Sequence, residues 1–309
     1  MKIFHDFDQA CDIRNAVVTT GSFDGVHIGH KVILQRLRKL ANETDGETVL
    51  ITFHPHPRKV LYPETVGKDL QLINSQREKI HLLQKAGLDN LIIVEFTRAF
   101  SEMISLDFVR NILLKKLHAR KIVIGFNHHF GHNREGDYEA LRKLGLEYYF
   151  DVEEIPEQDI HNESVSSTKI RRALLDGNIQ KANAYLDHQY IIMGSATKSS
   201  HVLEEIGFPC YSVKIEEDCK LVPPNGVYAV TVLGDDSFSR AMCFIRKNET
   251  MPLETLIEVH LLESYGNIEG QIVTLLFHKR IREEKIINTT EDLKKQLIID
   301  RNQVDELIF

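Results

Sequence analysis

The sequence predicts an α/β unit built on a mostly parallel sheet, followed by a small antiparallel β-barrel with one terminal helix. Three observations predict it. The first half alternates short apolar runs with amphipathic stretches, the pattern of a parallel sheet carrying helices on both faces. A glycine-rich turn joins an early apolar run directly to a helix, as at the ligand-binding edge of such sheets. From Tyr190 onward the character changes to a succession of short strand-like runs, the pattern of a small barrel.

In the first half, Val17–Thr20 is a strand and Lys31–Leu40 a helix. Thr48–Phe53 is a second strand that ends in His54-Pro55-His56-Pro57. Ser75–Ala86 is helical, with Ile80, Leu82 and Leu83 on its apolar face. Asn90–Glu95 is a third strand, Ser105–Leu117 a helix, Lys121–Ile124 a fourth strand, Glu139–Leu144 a helix and Glu147–Phe150 a short strand. Ser166–Leu175 is a helix whose Ser-Ser-Thr start suits capping, and the helix Ile179–Leu186 completes this half. Short strands follow at Tyr190–Met193, Tyr211–Ile215, Gly226–Leu233, Ser239–Ile245, Ile257–Leu262 and Ile272–Phe277. Glu291–Asp300 is the terminal helix. Two domains are expected, residues 1–186 and 187–309, in keeping with a chain of 309 residues.

Composition narrows the function class. A net charge of −7 gives no basic surface for nucleic acid. No run is long and apolar enough to cross a membrane, and the N-terminus lacks the apolar core of a signal peptide. Cys11, Cys210, Cys219 and Cys243 are scattered with no Cys-x-x-Cys pair, which points to neither a zinc site nor a disulfide framework. The expectation is a soluble cytoplasmic protein with reduced thiols. His128, His129 and His132 form a local cluster, but no carboxylate stands at helical metal-ligand spacing, so no metal site is assigned.

The most informative stretch is Gly21-Ser22-Phe23-Asp24-Gly25-Val26-His27-Ile28-Gly29-His30, directly after the first strand and before the first helix. Backbone N–H groups at a helix start attract anions, and glycines let the backbone approach a ligand closely. His27 and His30, at i and i+3, point the same way from the first helical turn. Two imidazole donors beside a polyphosphate offset charge that develops during phosphoryl chemistry.

Further motifs follow in order: Thr52-Phe53-His54-Pro55-His56-Pro57, Gly125-Phe126-Asn127-His128-His129-Phe130-Gly131 with Gly136-Asp137, and Val165-Ser166-Ser167-Thr168-Lys169-Ile170-Arg171. With these four segments the chain resembles the bacterial bifunctional riboflavin kinase/FMN adenylyltransferases, or FAD synthetases, over essentially its whole length. The resemblance implies a Rossmann-like nucleotidyltransferase domain and a riboflavin-kinase-like barrel. It implies ATP as co-substrate, Mg²⁺ carried with ATP, and FMN and FAD as substrate and product. The FMN phosphate would attack the α-phosphorus of ATP, expelling pyrophosphate.

In that reading His27 and His30 hold the α- and β-phosphates, on a turn shaped by Gly21, Phe23, Gly25 and Gly29. Asp24 either binds nucleotide or fixes the turn. Ser166, Ser167, Thr168 and Arg171 grip the polyphosphate, or the serines only cap a helix and Arg171 is an ordinary surface residue. Phe53, His56 and Pro57 lie on the flavin side, or His56 is a solvated loop histidine. Asn127 orients polar groups of the nucleotide or flavin.

The second half keeps mainly the family's skeleton. Gly207-Phe208-Pro209 is followed by Cys210-Tyr211-Ser212, where the resemblance places a threonine and an asparagine that help hold Mg²⁺ and phosphate. Cysteine is a poor Mg²⁺ partner. Ser199, Leu203 and Glu204 stand where the family's ATP loop has two glycines and a basic residue, and Phe244–Thr250 carries no Gly-x-x-Pro-Thr-Phe segment. Glu258 is retained as the base that would activate the riboflavin hydroxyl, or else it is an outward residue on an alternating strand. Arg282 and Asp300 fall on family-like positions. The expectation is FMN adenylyltransferase activity, with the kinase step in doubt. The alternatives are the complete bifunctional enzyme, a non-catalytic flavin sensor or scaffold, and adenylyl or cytidylyl transfer to another phosphate.

Overall fold

The structure is a computed structural model that describes residues 1–10, 12–125, 129–132, 135–155, 159–160, 163–199, 201–235, 238–247, 255–263 and 267–308. The chain divides into two compact units: residues 1–70 with 79–165, and residues 71–78 with 166–309.

In the first half of the chain, the elements are β1 (Lys2–Phe4), β2 (Val17–Thr20), α1 (Ile28–Glu43), β3 (Thr48–His54), α2 (Pro57–Leu61), α3 (Gln76–Lys85), β4 (Asn90–Glu95), α4 (Arg98–Ser101), α5 (Ser105–Asp107), β5 (Lys121–Gly125), α6 (Tyr138–Tyr148) and β6 (Asp151–Ile155). A two-stranded pair, β7 (Asp159–Ile160) and β8 (Glu163–Ser164), follows. The sheet order is β1-β4-β3-β2-β5-β6, and every pairing is parallel. The chain steps from β2 through β3 to β4 in one direction, then returns to β5 on the other side of β2. The strand order reverses at β2, so the ligand crevice of such a sheet lies outside its carboxyl end.

Right-handed crossovers put α1 and α3 on the same face, side by side. An ion pair, Arg38 Nη1 to Asp89 Oδ1 at 3.1 Å, ties α1 to the turn after α3. Alternate strand residues serve opposite faces. Val17 and Val123 pack with Leu37 and Leu40 of α1, while Val18, Val49, Ile51 and Ile92 pack with Phe108, Ile112 and Leu141.

The expected strand at Glu147–Phe150 is not one. There α6 continues to Tyr148 and ends on Tyr149 in the left-handed region (φ 62°), and the strand starts at Asp151. Close packing overrides the β propensity of the aromatic run: Gly145 lies so near the turn that a Cβ there would come within 2.6 Å of the Phe150 carbonyl oxygen. The helix expected over Ser105–Leu117 is split, α5 passing into a π-helical stretch at Phe108–Leu114. β1 is too short to show a sequence period.

The rest of the chain contains α7 (Ser167–Leu175), α8 (Ile179–Leu186), β9 (Tyr190–Lys198), α9 (His201–Glu205), β10 (Tyr211–Lys214), β11 (Gly226–Leu233), β12 (Phe238–Lys247), β13 (Thr255–Leu261), β14 (Ile272–Glu283) and α10 (Thr290–Leu307). The strands close into an antiparallel barrel in the order β10-β13-β12-β11-β14-β9. The rings of Tyr190, Tyr228 and Phe277 are fully buried together, 5.6 and 5.5 Å apart. β11 is buried along nearly its whole length, because Ala229 also packs with Leu297 and Val304 of α10. Compactness groups α7 and α8 with the barrel.

Candidate functional site

In the first unit the glycine-rich turn follows the carboxyl end of β2. Phe23 (φ 47°), Gly25 (φ 93°) and Val26 (φ 42°) all take left-handed backbone, which lets the chain double back before α1. A Cβ on Gly29 would lie 3.3 Å from the His27 ring, so the glycine leaves that ring its space. His27 is the N-cap residue of α1 and is largely buried, as is Asp24.

His27 and His30 stack at 3.6 Å between ring centroids, and His30 stacks in turn on Phe23 at 4.4 Å. The i, i+3 spacing thus brings both imidazoles together. Burial, then the neighbouring His27 and Lys79, hold the His30 imidazole well below the ordinary histidine range. It is neutral at pH 7, with one donor and one acceptor nitrogen. Its Nδ1 is buried without a hydrogen-bond partner among the described residues. An orphaned polar atom at a helix start, at the sheet's switch point, fits a ligand that supplies the missing partner.

Beside this turn, Phe53 at the end of β3 belongs to an aromatic group. Phe53 lies 5.4 Å from Phe96 and 5.8 Å from Phe100, which continue through Phe108 toward Phe130. Phe96 and Phe100 were legible only as residues just past a strand end.

His56 and Pro57 have a structural part. The His56 Nδ1 accepts the Arg58 backbone N–H at 3.1 Å and caps α2, and Pro57 is that helix's first residue. Asn127 and His128 lie outside the described residues. His132 Nδ1 is 3.4 Å from the Ser101 carbonyl oxygen. Among the described residues no group of three or more His, Cys, Asp or Glu side chains is arranged to hold a metal ion.

The second unit contains the remaining candidates. Ser166 caps α7, its hydroxyl accepting the Lys169 N–H at 3.3 Å, and Ser167 and Thr168 form the helix's first two positions. The Arg171 Nε donates to the Gln71 carbonyl at 2.9 Å.

Glu258 does not point outward. It is buried on β13, where Oε2 accepts both Nε (3.0 Å) and Nη2 (2.8 Å) of Arg246, and Oε1 accepts the Ser199 hydroxyl. Glu258, Arg246, Phe244, Arg282 and Lys285 line a pocket of about 530 Å³. Arg282 is itself forked onto Asp300. Glu204 pairs with Lys198 at 3.0 Å, and Leu203 packs beside Phe208 and Leu297. The Cys210 thiol donates to the Phe208 carbonyl, and burial, aided by Glu258, pushes its pKa up to about 12. A protonated thiol turned to the backbone does not fit an Mg²⁺ ligand.

The family model for FAD synthetase matches residues 9–169, and that for riboflavin kinase matches residues 186–308. The bifunctional riboflavin kinase/FMN adenylyltransferase of Listeria monocytogenes is 32% identical over 304 residues, covering 98% of this chain and 94% of that protein. The Escherichia coli K12 protein of the same description is 30% identical over 298 residues, covering 96% and 93%. A solved structure described as a macrolide-efflux protein from Streptococcus pneumoniae matches 99% of both chains with a TM-score of 0.88 and 27% identity. No helix among the described residues of this chain is long and apolar enough to cross a membrane. Two family models in the order of the two halves, and relatives that match nearly end to end, place this chain in the bifunctional riboflavin kinase/FMN adenylyltransferase family.

Proposed function

We propose that the chain carries out both steps: the barrel unit phosphorylates riboflavin to FMN, and the first unit adenylylates FMN to FAD. This reverses the sequence expectation that set the kinase step in doubt. What supports it is that the riboflavin kinase model extends through the altered second half, where Glu258 lies buried in a lined pocket rather than outward.

For adenylyl transfer, the carrying observation is the stacked His27–His30 pair at the switch point, with a buried imidazole nitrogen open to a ligand. The nucleotide enters as its Mg²⁺ complex. An FMN phosphate oxygen attacks the α-phosphorus and pyrophosphate leaves. That phosphate is ionised at neutral pH and needs no strong base, so positioning and charge stabilisation do the catalysis. His27 and His30 meet the α- and β-phosphates. Phe53, Phe96 and Phe100 offer the isoalloxazine ring an aromatic surface. We place this chemistry in the cytoplasm, where ATP is available.

The test is turnover. Riboflavin with Mg-ATP is expected to yield FMN and then FAD, and FMN with Mg-ATP to yield FAD directly. No FAD from FMN removes the adenylyltransferase reading, and flavin binding without turnover supports a sensor. A second reading, adenylyl transfer alone, is favoured by the occupation of both Glu258 oxygens by Arg246 and Ser199 and by the Cys210 thiol. Unchanged riboflavin beside active FAD formation from FMN selects it.

A further inference from the structure

We propose that Lys79 is a catalytic residue of the adenylyl-transfer site, its ammonium contacting the ATP phosphates beside His27 and His30. The proposal rests on the reading that the first unit transfers AMP to FMN.

Lys79 stands in the first turn of α3, three and four residues before the buried Leu82 and Leu83. It therefore lies on the helix's inward stripe and is only 5% exposed. Its placement gives it a use. α1 and α3 run side by side on one face of the sheet, held together farther along by Arg38 and Asp89. Both helices begin beyond the carboxyl ends of their strands. His30 is the third residue of α1 and Lys79 the fourth of α3, so both first turns face the same edge of the sheet.

The electrostatics agree with the placement. Lys79 is close enough to His30 to disfavour its protonation. The imidazole at this site is neutral and supplies hydrogen bonds without charge. Adenylyl transfer forms a bond from an FMN phosphate oxygen to the α-phosphorus and breaks the bond from that phosphorus to the α,β-bridging oxygen. The electron pair leaves with pyrophosphate. The Lys79 ammonium, keeping its proton, supplies the positive charge where that leaving group gains negative charge.

Lys79→Met is expected to lower kcat for FAD formation by roughly 10²- to 10³-fold with the thermal midpoint nearly unchanged. Lys79→Arg is expected to restore part of the loss. In Lys79→Met the His30 ring, followed by NMR, is expected to titrate at higher pH, because a neighbouring cation is gone. A kcat and a KM for ATP within about twofold of wild type in Lys79→Met overturn the proposal. If that variant does not fold, wild-type crystals with α,β-methylene-ATP decide: Nζ in hydrogen-bond contact with a phosphate oxygen supports the role, and Nζ turned away from the phosphates ends it. A wild-type chain that makes no FAD from FMN and Mg-ATP refutes the reading of the site, whereas an active wild type with an equally active Lys79→Met refutes only the part given to Lys79.

Discussion

Glu78 and Lys220 form a fully buried ion pair, Oε2 to Nζ at 2.6 Å, with neither side chain exposed to solvent. Every strong bond around it is satisfied. Glu78 also accepts the backbone N–H groups of Ser75 (2.9 Å) and Met193 (2.8 Å). Lys220 also donates to the carbonyls of Ile73 (2.5 Å) and Ile191 (2.8 Å), and sits 4.3 Å from the centre of the Tyr190 ring. Leu72 pairs in parallel with Lys220 alongside. Residues 71–78, from the first half of the sequence, are thereby built into the barrel unit.

Removing one partner strands a charge in the interior. Lys220→Met is expected to destabilise the protein by about 3–5 kcal/mol, and the double variant Glu78→Gln with Lys220→Met by less than the sum of the two single changes. Urea denaturation of the full chain measures both. Additive single effects would show that the two side chains are not coupled.

Acid is expected to weaken the fold. His30, His81, His260 and His278 are all held below the ordinary histidine range, each chiefly by burial. An unfolded histidine takes up its proton near 6.5, and the folded ones only at lower pH. Within that window the unfolded chain binds more protons. The stability these groups give is therefore complete above about pH 6.5 and is lost as pH falls toward their folded values. The urea midpoint at about pH 5 should lie below that at pH 7, and an equal or higher midpoint contradicts the assignment.

The order of elements was legible because hydrophobic periodicity is a local property. Val17–Thr20, Asn90–Glu95, Ile179–Leu186 and Gly226–Leu233 form with the limits the pattern gives. The His27–His30 pair was legible for the same reason, since i, i+3 spacing and a helix start suffice to bring the rings together. Partnerships across the chain were not. Nothing in the local sequence marks Glu78 and Lys220 as each other's counter-ion, or Arg246 as the partner of Glu258, because only the closed barrel and its added segment bring them together. Local sequence hides Lys79, because a lysine in the run Arg77-Glu78-Lys79 reads as part of a solvated helix start. His56 illustrates the converse: a histidine between prolines stands out in sequence, yet its Nδ1 serves as a helix cap.

The thiols should separate sharply in reactivity. Burial pushes the Cys210 thiol up to about 12 and raises that of Cys243 as well, so neither presents a thiolate at neutral pH. Cys219 is partly exposed. In a Cys11→Ser background, folded protein at mildly alkaline pH is expected to give one fast-reacting thiol with an aromatic disulfide reagent, and Cys219→Ser to remove it. Rapid loss of all three thiols in the folded state would mean that the barrel opens far more readily than its packing implies.

Glu258 is the residue at which the kinase chemistry proposed for the barrel can be tested. Its carboxylate holds the Arg246 fork and the Ser199 hydroxyl at the wall of the barrel pocket. Glu258→Gln keeps the shape and most hydrogen-bonding positions but removes the charge. If this carboxylate takes the proton from the riboflavin hydroxyl, riboflavin phosphorylation should fall by roughly 10²- to 10⁴-fold. FAD formation from supplied FMN should be unchanged, since the site proposed for that step lies in the first unit and Glu258 in the second. Following both products in one assay separates the outcomes: an unchanged kinase rate removes Glu258 from the chemistry, and a parallel loss of both activities shows that the substitution acts on the fold rather than on proton transfer.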